Sequence, residues 1–583
     1  MGNAVQLRLK FGRFEADLES GELFREGHKL AVQEKPFQIL ALLLESPSHF
    51  VAREEIFAKL WTNVQARKDQ SLNTAIRRLR LVLEDGDSGA HAIETVGSRG
   101  YRLTLPVTSA SPGGEDRLAP RRLRLAVAPF ANLDPDSPDY FSDGLTEQMI
   151  VQLGHVCQDI SVIAPISSLR FKENAQALSR MAEDLRADYM LSGTVSRLPQ
   201  RLRITAKLIR AADRSCVWTE SYTRQDTDVF FVQDDIARNI VRAVLVAIPA
   251  PRAPLAHLTT TAAIYEKYLK ACFFANKFID PDFGKALSLF EEVIAEDPDF
   301  APGHASLAHM YSAMGQYGGM PPQAVCARIK SAAEKALALC EELPDAHTAL
   351  GLAQAFYDAD WGAAEASFLR ALQLNPSSSG AYLGYAQLLM LCSRHREAVE
   401  AAQRARDLDP LSPIVNSILV VVLYLAGKFE EGLERGLKCI EIAPEFATAH
   451  ACLGWIYEGL KAVDQAAACY RAAVERGPGS PLMWAHCARG AALIGDRDEA
   501  TRILDDLLRQ REATHVPCTW IALVYAALGQ EEGVLQWSEL AMRERCGWRA
   551  LFAVDPRLTA FSANPRYQML VRDLGLASPL PQK

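Results

Sequence analysis

Six prolines, Pro298, Pro344, Pro376, Pro410, Pro444 and Pro478, stand 46, 32, 34, 34 and 34 residues apart. A step held that closely means that one short unit is repeated, and that each unit buries its apolar face against the next. In the unit ending at Pro478, Leu453 is followed by the small and aromatic residues Gly454, Tyr457, Ala466, Tyr470 and Ala473. Tyr382, Ala386, Ala398, Ala402 and Ala405 lead to Pro410, and Ala364, Phe368 and Ala371 lead to Pro376. Small residues let paired helices approach, and the rings fill the gaps between them. The first step reads as one unit plus an insertion near residues 314–322, and Trp520, Gly533 and Trp537 read as a degenerate last unit.

These positions resemble the tetratricopeptide repeat. The resemblance implies an all-α solenoid of about seven or eight repeats over residues 262–545, with a concave groove that holds a protein or peptide partner. Residues 546–583, carrying Asp555-Pro-Arg-Leu and Asn564-Pro-Arg-Tyr, are expected to cap its end. A proline-rich linker, 248–261, precedes the array.

The first 105 residues follow other periods. Residues 7–18 alternate apolar and polar, and a second short run follows Ser20-Gly21, which predicts an antiparallel meander with turns there and at Glu26-Gly27. Helices are expected over 35–45, 53–61 and 69–83, and two short strands over 93–103. In the third helix Leu72, Ile76, Leu79 and Leu83 recur at steps of four, three and four, which is one helical face. Gln70, Thr74, Arg77 and Arg78 project from the opposite side, flanked by Asn73 and Arg80. Taken alone, such a helix is most often a solvated surface helix. Its neighbours change that reading.

Lys35-Pro36-Phe37 with Leu40, Leu42, Leu43 and Leu44, then 51–56 with Leu60 and Trp61, resemble the first two helices of the OmpR/PhoB-type winged helix-turn-helix. Residues 71–80 are similar to that family's recognition helix, and Ile93-Glu-Thr-Val-Gly-Ser-Arg-Gly-Tyr-Arg-Leu103 to its wing. The resemblance covers 5–105 and implies double-stranded promoter DNA as partner, with the third helix in the major groove and the wing tip in an adjacent minor groove. Carried over by position, it places Thr74, Arg77 and Arg78 at bases or phosphates, Arg80 at a flanking phosphate and Arg99 at the wing tip. Ala75 stands where a polar reader is often found, which leaves a thymine methyl as its expected contact. Repeated half-sites are common in the family, so a homodimer on DNA is expected. Placement of the winged helix first, with no room upstream for a receiver, is similar to the CadC/ToxR and HilA-like regulators, and phosphorylation is not the expected switch. Residues 106–123 read as a polar linker rather than a membrane span.

Residues 124–247 order as β-α-β-α-β-β-β-α, which predicts a mixed sheet with helices packed on it and a closing helix over 228–246. Leu-Ala-Val-Ala-Pro-Phe130 followed by Tyr140-Phe-Ser-Asp-Gly-Leu-Thr-Glu147 resembles the TolB N-terminal/FlgO-like module. Asp143, Thr146 and Glu147 look like a catalytic cluster but read better as a helix cap. No phosphate-binding glycine loop, nucleophile motif or metal-ligand set is present, so neither an enzyme nor a cofactor is expected.

The net charge of −8 argues against a generally basic nucleic-acid coat. Residues 1–105 hold 15 Lys/Arg against 14 Asp/Glu, leaving 48 against 57 elsewhere, and their positive charge gathers at Arg67, Lys68, Arg77, Arg78 and Arg80 and again at Arg99 and Arg102. The twelve cysteines form no CxxC pair, ten of them follow residue 270, and they read as reduced thiols at helix positions. The longest apolar run, 418–426, is too short to cross a bilayer and the N-terminus is polar, so a cytoplasmic protein is expected. The sequence therefore predicts a DNA-binding transcriptional regulator with winged helix, α/β module and helical solenoid. The alternative is a signalling scaffold whose repeats bind partners and whose DNA binding is vestigial.

Overall fold

Alternating residues at the N-terminus pair into strands as the pattern demands. In the computed structural model β1 (Arg8–Phe11), β2 (Phe14–Asp17), β3 (Glu22–Arg25) and β4 (His28–Leu30) form an antiparallel meander, with Phe14, Ala16 and Leu23 turned into the core. The structure describes residues 8–576 apart from 12–13, 18–21, 26–27, 31, 46–49, 61–67, 84–92, 97–99, 104–106, 110–121, 135–139, 157–159, 172–176, 199–200, 226–259, 276–281, 318–319 and 514. The expected turns at Ser20-Gly21 and Glu26-Gly27 and the expected closing helix at 228–246 lie outside the described residues. The chain falls into two compact units divided between Arg122 and Leu123.

In the first unit the meander gains a fifth strand. β8 (Val107–Ser109) pairs antiparallel with β1, Leu9 opposite Ser109 and Phe11 opposite Val107. This corrects the reading of 106–123 as linker throughout: β-branched Val107 and Thr108 suit a pleated edge, and the first strand had one edge open to take them. α1 (Glu34–Glu45), α2 (Arg53–Leu60) and α3 (Lys68–Leu83) follow, with a second sheet in the order β5 (Phe50–Ala52), β7 (Gly100–Leu103), β6 (Ile93–Val96). Leu72, Ile76, Leu79 and Leu83 are buried together with Leu40 and Leu43 of α1 and Ile56 of α2, so the apolar face of α3 packs as its spacing requires. Trp61 and the wing tip at 97–99 lie outside the described residues.

The second unit opens with β9 (Leu123–Val127), β10 (Ala131–Asn132), α4 (Tyr140–Val156), β11 (Ile160–Val162), α5 (Pro165–Leu169), α6 (Ala177–Asp184), β12 (Tyr189–Leu198), β13 (Arg201–Arg210) and β14 (Cys216–Gln225). The sheet runs β11-β9-β12-β13-β14; β9 is parallel to both its neighbours and the last three strands are antiparallel, which is the mixed sheet that the order of elements predicts. Gly193 in β12 is required, because a Cβ there would stand 2.2 Å from a ring carbon of Phe130. The capping assignment in α4 needs correction. The helix begins at Tyr140, so Asp143 and Thr146 lie within it. Thr146 Oγ1 donates to Ser142 O at 2.7 Å and accepts from Phe130 N at 3.0 Å, fastening α4 to the loop after β9.

Eight helix pairs follow among the described residues: Ala262–Ala275 with Asp282–Glu296, Ala301–Tyr317 with Pro322–Leu339, Pro344–Ala353 with Trp361–Leu374, Ser379–Leu391 with His395–Leu408, Pro413–Leu425 with Phe429–Ile442, Ala447–Gly459 with Val463–Arg476, Pro481–Leu493 with Arg497–Ala513, and Cys518–Ala527 with Glu531–Arg543. One contact sets their register. A side chain six residues on donates to the carbonyl of the periodic residue: His304 to Pro298 at 2.9 Å, Asn416 to Pro410 at 3.0 Å, His450 to Pro444 at 2.8 Å and Trp484 to Pro478 at 2.8 Å. His347 makes this contact with Glu341 at 2.9 Å. Glu341 therefore holds the periodic place and Pro344 is the first residue of the next helix, where a missing N–H costs nothing.

The α/β module is not a separate body on a linker. β11 is an edge strand, and edges need covering. The loops between repeats cover it. Ser377 Oγ donates to Ile160 O and accepts from Val162 N, both at 3.1 Å, and Ala164 N donates to Leu408 O at 2.8 Å. Arg124 Nη2 donates to Asp407 O at 2.6 Å. α4 lies so close to the first repeat that a Cβ on Gly144 would stand 2.6 Å from Leu269 Cβ. The C-terminal segment also does more than cap an end. Helix Leu551–Val554, the 3-10 turn Pro556–Phe561 and helix Pro565–Asp573 fold back on the repeats, and Trp361 Nε1 donates to Leu574 O at 2.8 Å.

Candidate nucleic-acid interface

α3 exposes Asn73, Thr74, Arg77 and Arg78 opposite its buried leucines. Arg77 makes no hydrogen bond or ion pair with any described residue. Arg78 Nη1 donates to Gln33 Oε1 just ahead of α1. Asn73 is held by two donors: Tyr101 OH at 3.0 Å and Arg53 Nη2 at 3.3 Å both reach its Oδ1, while Arg53 Nη1 donates to Tyr101 OH at 2.6 Å. An arginine can only donate, so the amide orientation is fixed and Asn73 turns its Nδ2 outward. That leaves a donor without its paired acceptor, which suits a phosphate or a guanine edge and not the two-bond reading of adenine. Arg53, Tyr101 and Gln33 were missed as supports; only Tyr101 had a signal, its place in the Gly-Tyr-Arg of the wing.

Arg80 is placed differently from the flanking contact expected of it. Its Nε and Nη2 donate to Ile93 O at 3.0 and 2.8 Å, and Nη2 also reaches Thr95 Oγ1 at 2.8 Å, so it braces α3 against the wing strand β6. Arg102 lies opposite Glu94 in the wing, exposed, at 3.8 Å. Ala75 is a correction: it is buried beside Ile76 and faces the core, so it offers no thymine contact. Gln70 lies in α3 with its side chain outside the described residues, and Arg99 lies outside them altogether.

The inner face of the repeats carries a file of rings. Tyr424 and Trp455 are 5.6 Å apart between centroids, Trp455 and His486 5.7 Å, and His486 and Trp520 5.4 Å, and Trp548 from beyond the last repeat stands 6.1 Å from Trp520. Residues 548–557 cover this file. Arg557 sits 3.9 Å above the Trp455 ring while paired with Asp555 at 2.5 Å, and Trp548 packs on Phe356 at 4.9 Å. The groove expected to hold a partner is thus lined here by the chain's own C-terminal segment. Ligand atoms of Cys518, Glu544 and Cys546 lie within 4.8 Å of one another, but Arg511 already holds the Glu544 carboxylate at 2.5 Å.

Comparison with known proteins agrees with this architecture. Residues 27–103 match the family model of the C-terminal domain of transcriptional regulatory proteins. Residues 121–239 match the second domain of HilA/YgeH-like transcriptional regulators, and 350–413 and 426–481 match the tetratricopeptide repeat. The chain carries the domains of a transcriptional regulator: an OmpR/PhoB-type winged helix, a HilA-like module and a tetratricopeptide solenoid. It is similar to the transcriptional regulator HilA of Salmonella typhimurium, 22% identical over 419 residues, 71% of this chain and 73% of that protein. It is also similar to a putative adenylate cyclase 3 of Rhizobium meliloti, 29% identical over 239 residues, and spans 40% of that protein's length as of its own. The heme response regulator HssR of Staphylococcus epidermidis is 36% identical over 69 residues, 12% of this chain and 30% of HssR. Among the described residues no helix is long and apolar enough to cross a membrane.

Proposed function

We propose that this protein regulates transcription in the cytoplasm, without catalysis, by binding promoter DNA through α3 and the wing. One observation carries the reading: Asn73, Thr74, Arg77 and Arg78 are exposed together on the face of α3 opposite its buried leucines, with Arg77 unengaged among the described residues. Arg77 contacts a base or phosphate, Thr74 and the Asn73 amide donor lie beside it, and Arg78 and Arg102 neutralise flanking phosphates. Arg80 acts mainly by holding the wing, with Arg99 at its tip. Two copies bind repeated half-sites, and the solenoid receives a protein partner on a face that residues 548–557 leave open.

Footprinting on the DNA upstream of its own gene tests this. Arg77→Ala costs about 1–3 kcal/mol of binding if it meets a base, and lowers the salt slope by about one if it meets a phosphate. Equal, salt-independent binding by both proteins would sink the assignment.

A further inference from the structure

A cavity of about 380 Å³ lies where α4 meets the repeats, walled by the first helices of repeats one and two and by the starts of the next three. Small-molecule sites begin near roughly 300 Å³. Most of the wall is apolar, with Tyr265, Phe290, Phe300, Met310, Leu383 and Ile414. Its polar groups are one-sided. Glu147, Glu342, Asp345 and Asp409 line it with His155 and His309, and among the described residues no lysine or arginine does.

Asp345 and His309 are the unusual pair. Both side chains are open to water, yet both are surrounded by protein atoms, as groups on a cavity wall are. Neither makes a hydrogen bond or a close ion pair with a described residue. Burial pushes the Asp345 carboxyl up and the His309 imidazole down, only partly offset by the attraction between them. Nearby, Gln152 Oε1 is buried without a partner. Gln148 Nε2 donates to Tyr268 OH at 3.2 Å, and that hydroxyl lies 3.3 Å from Ser306 Oγ. Buried polar groups are nearly always partnered, and the Gln152 oxygen on this wall is not.

We infer that this cavity binds a small organic cation, a protonated amine on an apolar or aromatic body, with the ammonium group directed at Asp345. The absence of any cationic side chain among the described lining decides the sign. A carboxylate or phosphate ligand would enter among four carboxyl groups with no lysine or arginine beside them among the described residues, whereas an ammonium is drawn to Asp345. The rings of Tyr265, Phe290 and Phe300 provide apolar contact and a face for the charge. The cavity lies within the second unit.

The test uses the full chain and three probes matched in size: phenethylamine, 2-phenylethanol and 3-phenylpropionate. Calorimetry and thermal shift are expected to show phenethylamine binding at least tenfold tighter than the alcohol, and the carboxylate not binding. Asp345→Asn is expected to remove the preference for amine over alcohol while its unliganded melting temperature stays level, since the side chain is open to water and makes no hydrogen bond with a described residue. If that variant folds poorly, the ranking of the three probes on the unaltered protein decides by itself. Equal affinity for amine and alcohol, tighter binding of the carboxylate, an unchanged preference in D345N, or no binding by any probe overturns the inference.

Discussion

Arg489 Nη2 lies 2.6 Å from Glu458 Oε2, and the two side chains are only 6% and 7% exposed. Arg489 Nε reaches both carboxylate oxygens at 2.9 and 3.0 Å, Nη1 donates to Leu523 O at 2.8 Å, and the Tyr470 hydroxyl donates to Glu458. One ion pair thus ties together repeats six, seven and eight. Burial alone would push the Glu458 carboxyl up; the adjacent guanidinium overrides it and holds the group at about 2.

Removing either partner strands the other charge in the core. Glu458→Ala and Arg489→Ala are each expected to cost about 3–5 kcal/mol, with the double variant costing less than their sum. Urea denaturation measures this, and strictly additive losses would count against it. Because the folded carboxyl titrates below its ordinary value, the pair's contribution is present at neutral pH and fades as pH falls from about 4.5 towards 2.

Arg77 and Arg80 differ by three positions in α3 and should differ in kind. Arg77 has no partner among the described residues, so Arg77→Ala is expected to change stability by less than about 0.5 kcal/mol while weakening DNA binding. Arg80→Ala removes the bonds to Ile93 and Thr95 and should cost about 1–3 kcal/mol of the first unit's stability. Thermal melts set beside gel shifts separate the two, and indistinguishable melts would remove the bracing role.

What the sequence could reveal followed the range of the contacts. The solenoid was legible because each repeat makes the same local contact, and even the displaced marker at Glu341 follows once His347 is aligned with His304 and His450. The buried and exposed faces of α3 were legible for the same reason, since period alone separates Leu72 and Ile76 from Thr74 and Arg77. The seam between β11 and the repeats was not. Val162 and Ser377 are 215 residues apart and leave no local pattern. Nor does composition reveal that Asn73 already has its acceptor occupied, or that Thr146 serves a neighbouring loop instead of its own helix end.

Asp409 sits in that seam, where its Oδ1 accepts from Ser167 N at 3.0 Å and from Ser167 Oγ at 2.5 Å. Burial pushes its carboxyl up to about 7, against the pull of the Ser167 hydrogen bonds and of Arg170. A carboxyl raised by folding keeps its proton longer in the folded state, so the seam is most stable below about 3.8 and loses that contribution as pH rises through about 7. Hydrogen exchange of residues 160–168 should therefore be faster at pH 8 than expected from chemistry alone. Asp409→Asn should flatten the difference; an unchanged profile would remove Asp409 as its source.

Arg549 closes the solenoid on itself. The first helix of the third repeat ends in a π turn, Gln354–Asp358, and the left-handed Ala359. Carbonyls at such an end lack partners within the helix. Arg549 Nη1 and Nη2 donate to Phe356 O and Tyr357 O, both at 2.9 Å, and the side chain is 5% exposed. Arg549→Ala leaves both carbonyls buried without donors and is expected to cost about 1–3 kcal/mol for each. Arg549→Lys restores one donor position but not the fork, and should recover only part of the loss. Limited proteolysis gives the sharper readout: in R549A, cleavage within residues 548–557 should rise before the repeats themselves are cut. Cleavage of the repeats first would mean that the segment is held by its ring contacts with Trp455 and Phe356, with Arg549 secondary.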